Sequence, residues 1–155
     1  MLKSIEGNFD NQEVHDLLIQ HFIELRSVSP EGSTHVLDIA GLKDPTIKFW
    51  SLWEGDKLMG SGAIKFLNKS HGEFKSIRVN DKFRNHGFGL KIISHLLDEA
   101  KKLDIKRLSL ETGAGPFFNS ARSLFVKSGF IVCEPFSHYK KDINSVYMTM
   151  LISND

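Results

Sequence analysis

The sequence has 155 residues, of which 41% are hydrophobic and 25% are charged, as in an average globular protein, and this composition excludes disordered and fibrous classes. Twenty Lys and Arg residues against nineteen Asp and Glu give a net charge of +1, which argues against a dedicated nucleic-acid-binding or membrane-surface protein. The single cysteine, Cys133, excludes an internal disulfide and a Cys-rich metal site. We therefore expect one soluble, cytoplasmic domain over residues 1–155 that binds neither nucleic acid nor membranes.

The first half of the chain predicts a strand, then one helix, then three further strands. Asp10 and Glu13 have the spacing of a capping box, and apolar residues then recur at helical intervals until Pro30. A loop over 31–46, punctuated by Gly and Pro, leaves room for one short helical turn. The predicted strands are a hairpin at 49–53 and 58–64, and a strand at 72–79 with a register break near 75–76.

The second half predicts two helices and three strands. Apolar residues form a stripe from Leu90 to Leu103, with charged residues opposite, which is typical of an amphipathic helix. A second helix is expected over 117–128, closed by Gly129. The short strands are expected at 108–110, 130–132 and 146–151. This order of elements predicts an α/β domain with a mixed sheet.

A glycine-containing loop, Arg84 to Gly89, lies between the strand that ends at Val79 and the long helix. Free N–H groups at a helix start attract anions, and glycine lets a phosphate approach the backbone closely. The loop lacks the Gly-Lys-Ser/Thr end of a Walker motif, and Ile92 stands where a dinucleotide fingerprint needs its third glycine. These residues leave two interpretations open: a site for a pyrophosphate, or only a turn softened by glycine before a helix.

The spacing of this loop resembles R/Q-x-x-G-x-G/A, the acetyl-CoA loop of the GNAT superfamily of N-acetyltransferases. Residues 72–79 resemble the fourth strand of that family, and 121–130 resemble its A-x-x-L-Y-x-x-x-G-F segment. More narrowly, segments 34–38, 110–113 and 144–148 resemble a bacterial subgroup labelled indole-acetate or PaiA-like acetyltransferases. The resemblance implies an α/β, GNAT-like fold, with a mixed, mostly antiparallel sheet of six to seven strands flanked by about four helices.

The resemblance also implies an activity, which is acetyl-CoA-dependent N-acetyl transfer by direct attack in a ternary complex. A small-molecule primary amine is the expected acceptor, and a homodimer is compatible with the superfamily. Backbone groups of Ile77 and Val79 are expected against the pantetheine amides. The residues assigned to acetyl-CoA by the resemblance are Ile77, Arg78, Val79, Arg84, Asn85, His86, Gly87, Phe88, Gly89, Leu90, Asn119 and Phe125.

Carboxylates and one histidine are candidates for the acceptor side. Glu73 matches the position of the base that removes the amine proton in several family members, and its alternative is an ordinary exposed strand carboxylate. Glu111, His35 and Asp38 are candidates for acceptor binding, with structural or surface duty as the alternative for each. The seven histidines are scattered without ligand spacing, so no metal site is expected.

The sequence departs from the family pattern at three positions. Phe125 replaces the tyrosine that commonly protonates the leaving thiolate, and Asn85 replaces a glycine. The family often has an asparagine three residues before the A-x-x-L segment; Phe118 stands there, and Asn119 follows it by one residue. Tyr139 and Tyr147 remain as substitute acids, although a surface position for Tyr139 and a packing role for Tyr147 are favoured. Because Phe125 lacks the hydroxyl, a non-catalytic acyl-CoA-binding sensor with the same fold remains an alternative to an enzyme. For an enzyme, a protein or peptide amine remains an alternative acceptor. Indole-acetate itself has no amine to acetylate.

Overall fold

The structure is a computed structural model and describes residues 1–30, 32–33 and 35–152. Its elements in chain order are β1 (Leu2–Glu6), α1 (Gln12–Val28), α2 (Ile39–Leu42), β2 (Ile47–Glu54), β3 (Lys57–Phe66), β4 (His71–Val79), α3 (Phe88–Lys102), β5 (Arg107–Gly113), α4 (Asn119–Ser128), β6 (Ile131–Cys133) and β7 (Ser145–Leu151). Short 3-10 turns precede α3 and α4. The order of strands and helices predicted from the sequence is confirmed, with α2 as the short turn in the first loop.

The seven strands form one mixed sheet in the order β1-β2-β3-β4-β5-β7-β6. Neighbouring strands are antiparallel except β4 and β5, which run parallel. That parallel pairing covers only His71–Glu73 on β4, so the two strands separate beyond it. The sheet therefore contains an opening near its centre. The mixed, mostly antiparallel sheet expected from the sequence is confirmed.

Two apolar clusters cover the two faces of the sheet. Phe49 and Trp50 are consecutive on β2 but belong to different clusters, because successive strand side chains point to opposite faces. One cluster includes Trp50, Ile64, Ile92, Leu96 and Phe125, and the other includes Val14, Leu18, Leu42, Phe49 and Trp53. Helices α3 and α4 thus pack on one face and α1 and α2 on the other. Both tryptophans are core residues.

The start of α1 differs from the sequence prediction by one residue. The N-cap is Asn11, whose Oδ1 accepts hydrogen bonds from the backbone N–H groups of Glu13 at 2.9 Å and Val14 at 3.2 Å. Asp10 therefore lies outside the helix. Asp and Asn are both good N-cap residues, so local preference alone does not decide whether Asp10 or Asn11 caps the helix.

The register break expected in β4 is present. Ser61 faces Arg78 and Ala63 faces Lys75, so Ser76 and Ile77 together oppose one residue of β3. Ser76 adopts a left-handed conformation with φ +53°, as bulged residues often do. The bulge changes the course of β4 at the point where it separates from β5. Of the helices in the described part of the chain, none combines the length and apolarity that crossing a bilayer requires.

Candidate active site

A cavity of about 790 Å³ occupies the opening between β4 and β5. Its walls include residues 75–79 of β4 and 110–113 of β5, the two stretches that follow the end of the parallel pairing. The start of α3 and the inner side of α4 complete the wall on one side. Ile77 and Val79, the expected pantetheine contacts, both line it. A chain of amides could therefore pass between the two separated strands.

The glycine loop meets this cavity at the start of α3. Gly87 is the N-cap of α3 with φ +81°, and a Cβ built on it would meet no described atom within 4 Å. No side chain among the described residues caps the helix, so its first N–H groups are available to an anion. The open space at Gly87 fits a phosphate group approaching the backbone.

The backbone conformation of Asn85 explains why the loop tolerates asparagine where the family commonly has glycine. Its φ is +63°, in the left-handed region where glycine is normally favoured and where asparagine is the best-tolerated substitute. Asn85 lines the cavity together with Arg84, Gly87, Phe88 and Gly89. The predicted loop contacts His86 and Leu90 lie outside the cavity wall, and contacts through their backbone N–H groups stay a prediction.

Two arginines and two carboxylates form an ionic cluster between α1 and this loop. Glu24 Oε1 accepts hydrogen bonds from Arg78 Nη1 and Arg84 Nη2, each at 3.2 Å. Asp81 Oδ1 lies 3.1 Å from Arg78 Nη2 and 3.0 Å from Arg84 Nε. Nδ1 of His21 lies 3.3 Å from Arg78 Nη1. Burial and the positive charge of Arg78 lower the pKa of His21 to about 4, so the neutral ring can accept this hydrogen bond.

This cluster occupies the side chain of Arg78. Arg78 lines the cavity, but its side chain is only 4% exposed and is paired with Glu24 and Asp81, so the predicted contact with the cofactor is expected through its backbone. Arg84 lines the cavity and is half-exposed, but its guanidinium is already paired with Glu24 and Asp81. No local pattern predicted these partners, because Glu24 lies on a different element, 60 residues from Arg84.

Glu73 lies at the other end of the cavity wall and is 1% exposed, which rules out the alternative of an ordinary exposed carboxylate. Its Oε2 accepts hydrogen bonds from the Tyr139 hydroxyl at 2.5 Å and from Lys75 Nζ at 3.2 Å. No donor within the described ranges reaches the buried Oε1. A buried carboxylate oxygen without a donor is an available proton acceptor.

Glu111 and His35 stand near Glu73 in the same wall. The Ser145 hydroxyl donates to Glu111 Oε2 at 2.7 Å. Burial raises the pKa of Glu111 and the charge of Glu73 adds to this effect, while Ser145 and the positive charges of His35 and Lys75 oppose it. Two carboxyl groups thus share a poorly solvated region with one lysine. Two of the three predicted acceptor residues, Glu111 and His35, therefore line the same cavity as Glu73.

The comparison with known proteins decides the family. The model described as "Acetyltransferase (GNAT) family" matches residues 11–130. The chain belongs to the GNAT acetyltransferase family. As a GNAT enzyme it is an N-acetyltransferase, and acetyl-CoA is its cosubstrate. The resemblance inferred from the sequence is confirmed.

Individual relatives agree with this assignment. The Bacillus subtilis (strain 168) protein named uncharacterized N-acetyltransferase YsnE is 43% identical over 138 residues, which are 89% of this chain and 91% of that protein. An IAA acetyltransferase of Azospirillum brasilense is 31% identical over 126 residues, or 80% of each chain. The solved structure of a Bacillus subtilis acetyltransferase in complex with CoA matches with a TM-score of 0.72 at 20% identity, covering 99% of this chain and 100% of that one.

Asp38 stands apart from the other acceptor candidates. It lies outside the cavity wall, and its Oδ1 accepts the backbone N–H of Gly41 at 2.8 Å as the N-cap of α2. This contact favours the structural alternative, and acceptor binding by Asp38 stays an untested prediction. Thr34, which opens the same motif, lies outside the described residues.

Of the positions predicted for the two tyrosines, one is confirmed and one is wrong, and Phe125 lines the cavity. Phe125 is 8% exposed, lines the cavity and packs edge-on against Phe130 with ring centroids 5.7 Å apart. Tyr147 packs in the interior as expected, and its hydroxyl donates to the Lys140 carbonyl at 2.7 Å. The surface position expected for Tyr139 is wrong, because it is buried against Glu73.

Asn119, Cys133 and the histidines complete the predicted set. Asn119 lines the cavity, and its Oδ1 accepts a hydrogen bond from Arg122 Nη2. Cys133 is half-buried on the edge strand β6, outside the cavity wall, and burial raises the pKa of its thiol, which disfavours the reactive thiolate. Across the described ranges, no group of three His, Cys, Asp or Glu residues could hold a metal ion.

Sequence reasoning missed the partners of Glu73. Lys75 follows Glu73 by two positions on β4, and side chains two apart in a strand share a face. The contact between Lys75 and Glu73 could therefore have been predicted from the sequence. Tyr139 is 66 residues away in a connection without regular structure, where no periodicity predicts which side chains point inward.

Proposed function

We propose that the enzyme transfers the acetyl group of acetyl-CoA to the primary amine of a small molecule by direct attack in a ternary complex. The amine nitrogen forms a bond to the acetyl carbon while the thioester C–S bond breaks. CoA leaves as the thiolate, and the proton of the attacking amine passes to the enzyme. The observation that carries this proposal is one cavity whose wall contains both the open start of α3 and the unpartnered oxygen of Glu73.

CoA is expected to bind along the β4 side of the opening. The N–H groups at the start of α3 suit the pyrophosphate, because they combine free donors with the positive end of the helix dipole. The pantetheine would then run beside Ile77 and Val79 and pair with β4 in the way that an added strand does. This direction leads from the glycine loop toward Glu73 and Phe125.

Glu73 is proposed as the general base. A primary amine is mostly protonated at neutral pH and must lose a proton before it can attack the thioester. Oε1 of Glu73 can take that proton directly or through one water molecule, since the other oxygen already binds Tyr139 and Lys75.

No acid at the Phe125 position is needed for the CoA thiolate to leave. A thiolate is a tolerable leaving group near neutral pH, so its protonation can follow the bond-breaking step. The phenylalanine ring would still pack beside the pantetheine end. The missing tyrosine is thus compatible with an active enzyme.

The acceptor side is proposed to use Glu111 and His35, which share a wall with Glu73. The IAA acetyltransferase named among the relatives does not define the acceptor, because indole-acetate has no amine. A cytoplasmic location is part of the proposal, given a single cysteine and therefore no internal disulfide. A homodimer is the oligomeric state that we would test first.

An acceptor screen tests the proposal. The protein is mixed with acetyl-CoA and either small amines (ethanolamine, benzylamine, spermidine, free amino acids) or short peptides with a free α-amino group, and released CoA thiol is measured. We expect release above the amine-free rate with at least one small amine. Release with peptides alone would replace the small-molecule acceptor by a protein amine. Thermal shifts with CoA but not with ATP or NAD would support the assignment of the loop.

A further inference from the structure

We propose that Tyr139 is a positioning residue for acetyl transfer: its hydroxyl holds Oε2 of Glu73 and leaves Oε1 as the oxygen that accepts the amine proton. This inference rests on the proposed role of Glu73 as the base. The structure supplies the contact, a hydrogen bond of 2.5 Å between two groups 66 residues apart in the chain. No family motif that we identified includes this tyrosine.

The hydroxyl is part of a three-membered hydrogen-bonded group. Lys75 Nζ lies 3.2 Å from Glu73 Oε2 and 3.1 Å from the Tyr139 oxygen, so the ammonium donates to both. Both donors therefore act on the same carboxylate oxygen. A carboxylate fixed by two donors on one oxygen cannot rotate freely, and its second oxygen keeps one orientation.

Tyr139 is built to remain a donor. Burial raises the pKa of its phenol, and the negative charge of Glu73 raises it further, so the hydroxyl stays protonated in the working pH range. The residue lies outside the cavity wall, which argues against it as the replacement acid for Phe125. Its hydroxyl is already committed to Glu73.

The ring of Tyr139 is held by neighbouring aromatic groups. It packs edge-on against His35 at 5.0 Å and against Phe136 at 5.1 Å between centroids, and lies 5.5 Å from Tyr147. These contacts involve the ring and do not need the hydroxyl. Tyr139→Phe therefore removes the hydrogen bond to Glu73 while the packing remains, which makes the substitution a clean test.

Loss of the hydroxyl should affect the chemical step more than binding. Without it, Lys75 is the remaining donor to Glu73, and the carboxylate can turn to offer either oxygen to that ammonium. The fraction of enzyme with a free, correctly placed oxygen then falls. We expect kcat to drop by about tenfold in Tyr139→Phe while KM for acetyl-CoA is unchanged. The acidic limb of the kcat/KM profile should move to higher pH, because a donor that favours the charged carboxylate is gone.

The kinetic experiment compares Tyr139→Phe, Glu73→Gln, the double variant and a matched control, using acetyl-CoA and the fastest amine of the screen. Tyr147→Phe is the control, since the Tyr147 hydroxyl donates to the Lys140 carbonyl and the Tyr147 ring belongs to the same aromatic group. We expect the double variant to equal Glu73→Gln, because Tyr139 acts through that carboxylate, and Tyr147→Phe to change kcat by less than about twofold.

A second measurement does not need an acceptor. The chain has only two tyrosines, so a sample labelled with ¹³C at the tyrosine Cζ gives two NMR signals, which Tyr147→Phe assigns. The Tyr139 signal should shift in Glu73→Gln while the Tyr147 signal stays.

The outcomes separate the two proposals. A loss in kcat of about a hundredfold in Glu73→Gln would keep Glu73 as the base. If kcat were then unchanged in Tyr139→Phe, or if the two losses added in the double variant, the role of Tyr139 alone would be overturned. Normal kcat in Glu73→Gln would remove the base and, with it, the positioning role. An unmoved Tyr139 signal in Glu73→Gln would contradict the hydrogen bond itself.

Discussion

Glu24 binds Arg84 at 3.2 Å and thereby connects the middle of α1 to the first residue of the glycine loop. The same oxygen binds Arg78, whose guanidinium is almost fully buried. The buried guanidinium of Arg78 needs its carboxylate partners, and Arg84 shares both of them, so these ion pairs link the loop to α1. The contact places helix α1 among the elements that shape the CoA site, although it carries no motif.

Glu24→Gln should weaken CoA binding several-fold. The amide cannot hold both guanidinium groups as a charged acceptor, and Arg84 would become free to move away from the loop geometry. Calorimetry with CoA measures the change. Glu13→Gln, an exposed change in the first turn of the same helix, is the control and should leave affinity unchanged. Equal affinity in both variants would remove α1 from the site.

His21 should make the folding stability depend on pH. Its pKa is about 4 in the folded protein because of burial and Arg78, against 6.5 when it is unfolded. Between these values the unfolded state binds more protons, so stability is full above pH 6.5 and falls toward pH 4, by on the order of 3 kcal/mol. Urea unfolding at a series of pH values should show a flatter profile for His21→Gln than for the exposed control His15→Gln. Parallel profiles for the two variants would contradict a neutral, buried His21.

Gly87→Val should weaken CoA binding by more than about tenfold, or 1.4 kcal/mol. The added side chain would occupy the open space at the start of α3, and φ +81° is unfavourable for a β-branched residue. Gly7→Val is a matched control, because Gly7 has φ +78°, no atom of the described chain within 4 Å of the built Cβ, and no place in the cavity wall. Both variants should lose similar stability in thermal unfolding. Unchanged affinity in folded Gly87→Val would locate the pyrophosphate elsewhere.

Glu73→Gln should lower kcat on the order of 10²-fold while the affinity for acetyl-CoA holds. The amide cannot accept the amine proton, and the defect should shrink as pH rises and free amine becomes abundant. Initial rates across pH with saturating amine measure this. A loss that is independent of pH would indicate a structural carboxylate.

Phe125→Ala should weaken CoA binding, because the ring forms part of the cavity wall. Phe125→Tyr should change kcat by less than about tenfold, under 1.4 kcal/mol of barrier, since the thiolate leaves without a concerted proton. Steady-state rates at saturating substrates compare the two. A hundredfold gain in Phe125→Tyr would show that the missing acid limits turnover.

Local patterns in the sequence predicted most of the fold. The stripe from Leu90 to Leu103 identified α3 because a helix buries one face, and the glycine after Ser128 ended α4 because its φ is +109°. The cap of α1 was misplaced by one residue where Asp10 and Asn11 compete. Such errors arise where two neighbouring residues have nearly equal local preferences.

The site was predictable only where its residues follow local motifs. The glycine loop and Glu73 belong to segments that resemble a known family, so both could be identified. Tyr139 and Glu24 reach the site through contacts between distant segments, and only tertiary packing determines them. Asp38 shows the reverse case, in which a residue in a family-like segment serves as a helix cap.

The opening between β4 and β5 has a consequence for the lifetime of the protein in a cell. Within the described residues, the strand pairing that joins the two parts of the sheet, β1–β4 and β5–β7, is confined to His71–Glu73 on β4. A pantetheine chain bound along β4 would add hydrogen bonds at this interruption, and a ligand at 100 times its Kd stabilises the folded state by about 2.7 kcal/mol. A difference of that size changes the fraction of unfolded chains available to proteases by about a hundredfold. The supply of CoA is therefore expected to set how much of this enzyme persists, as well as how fast it turns over.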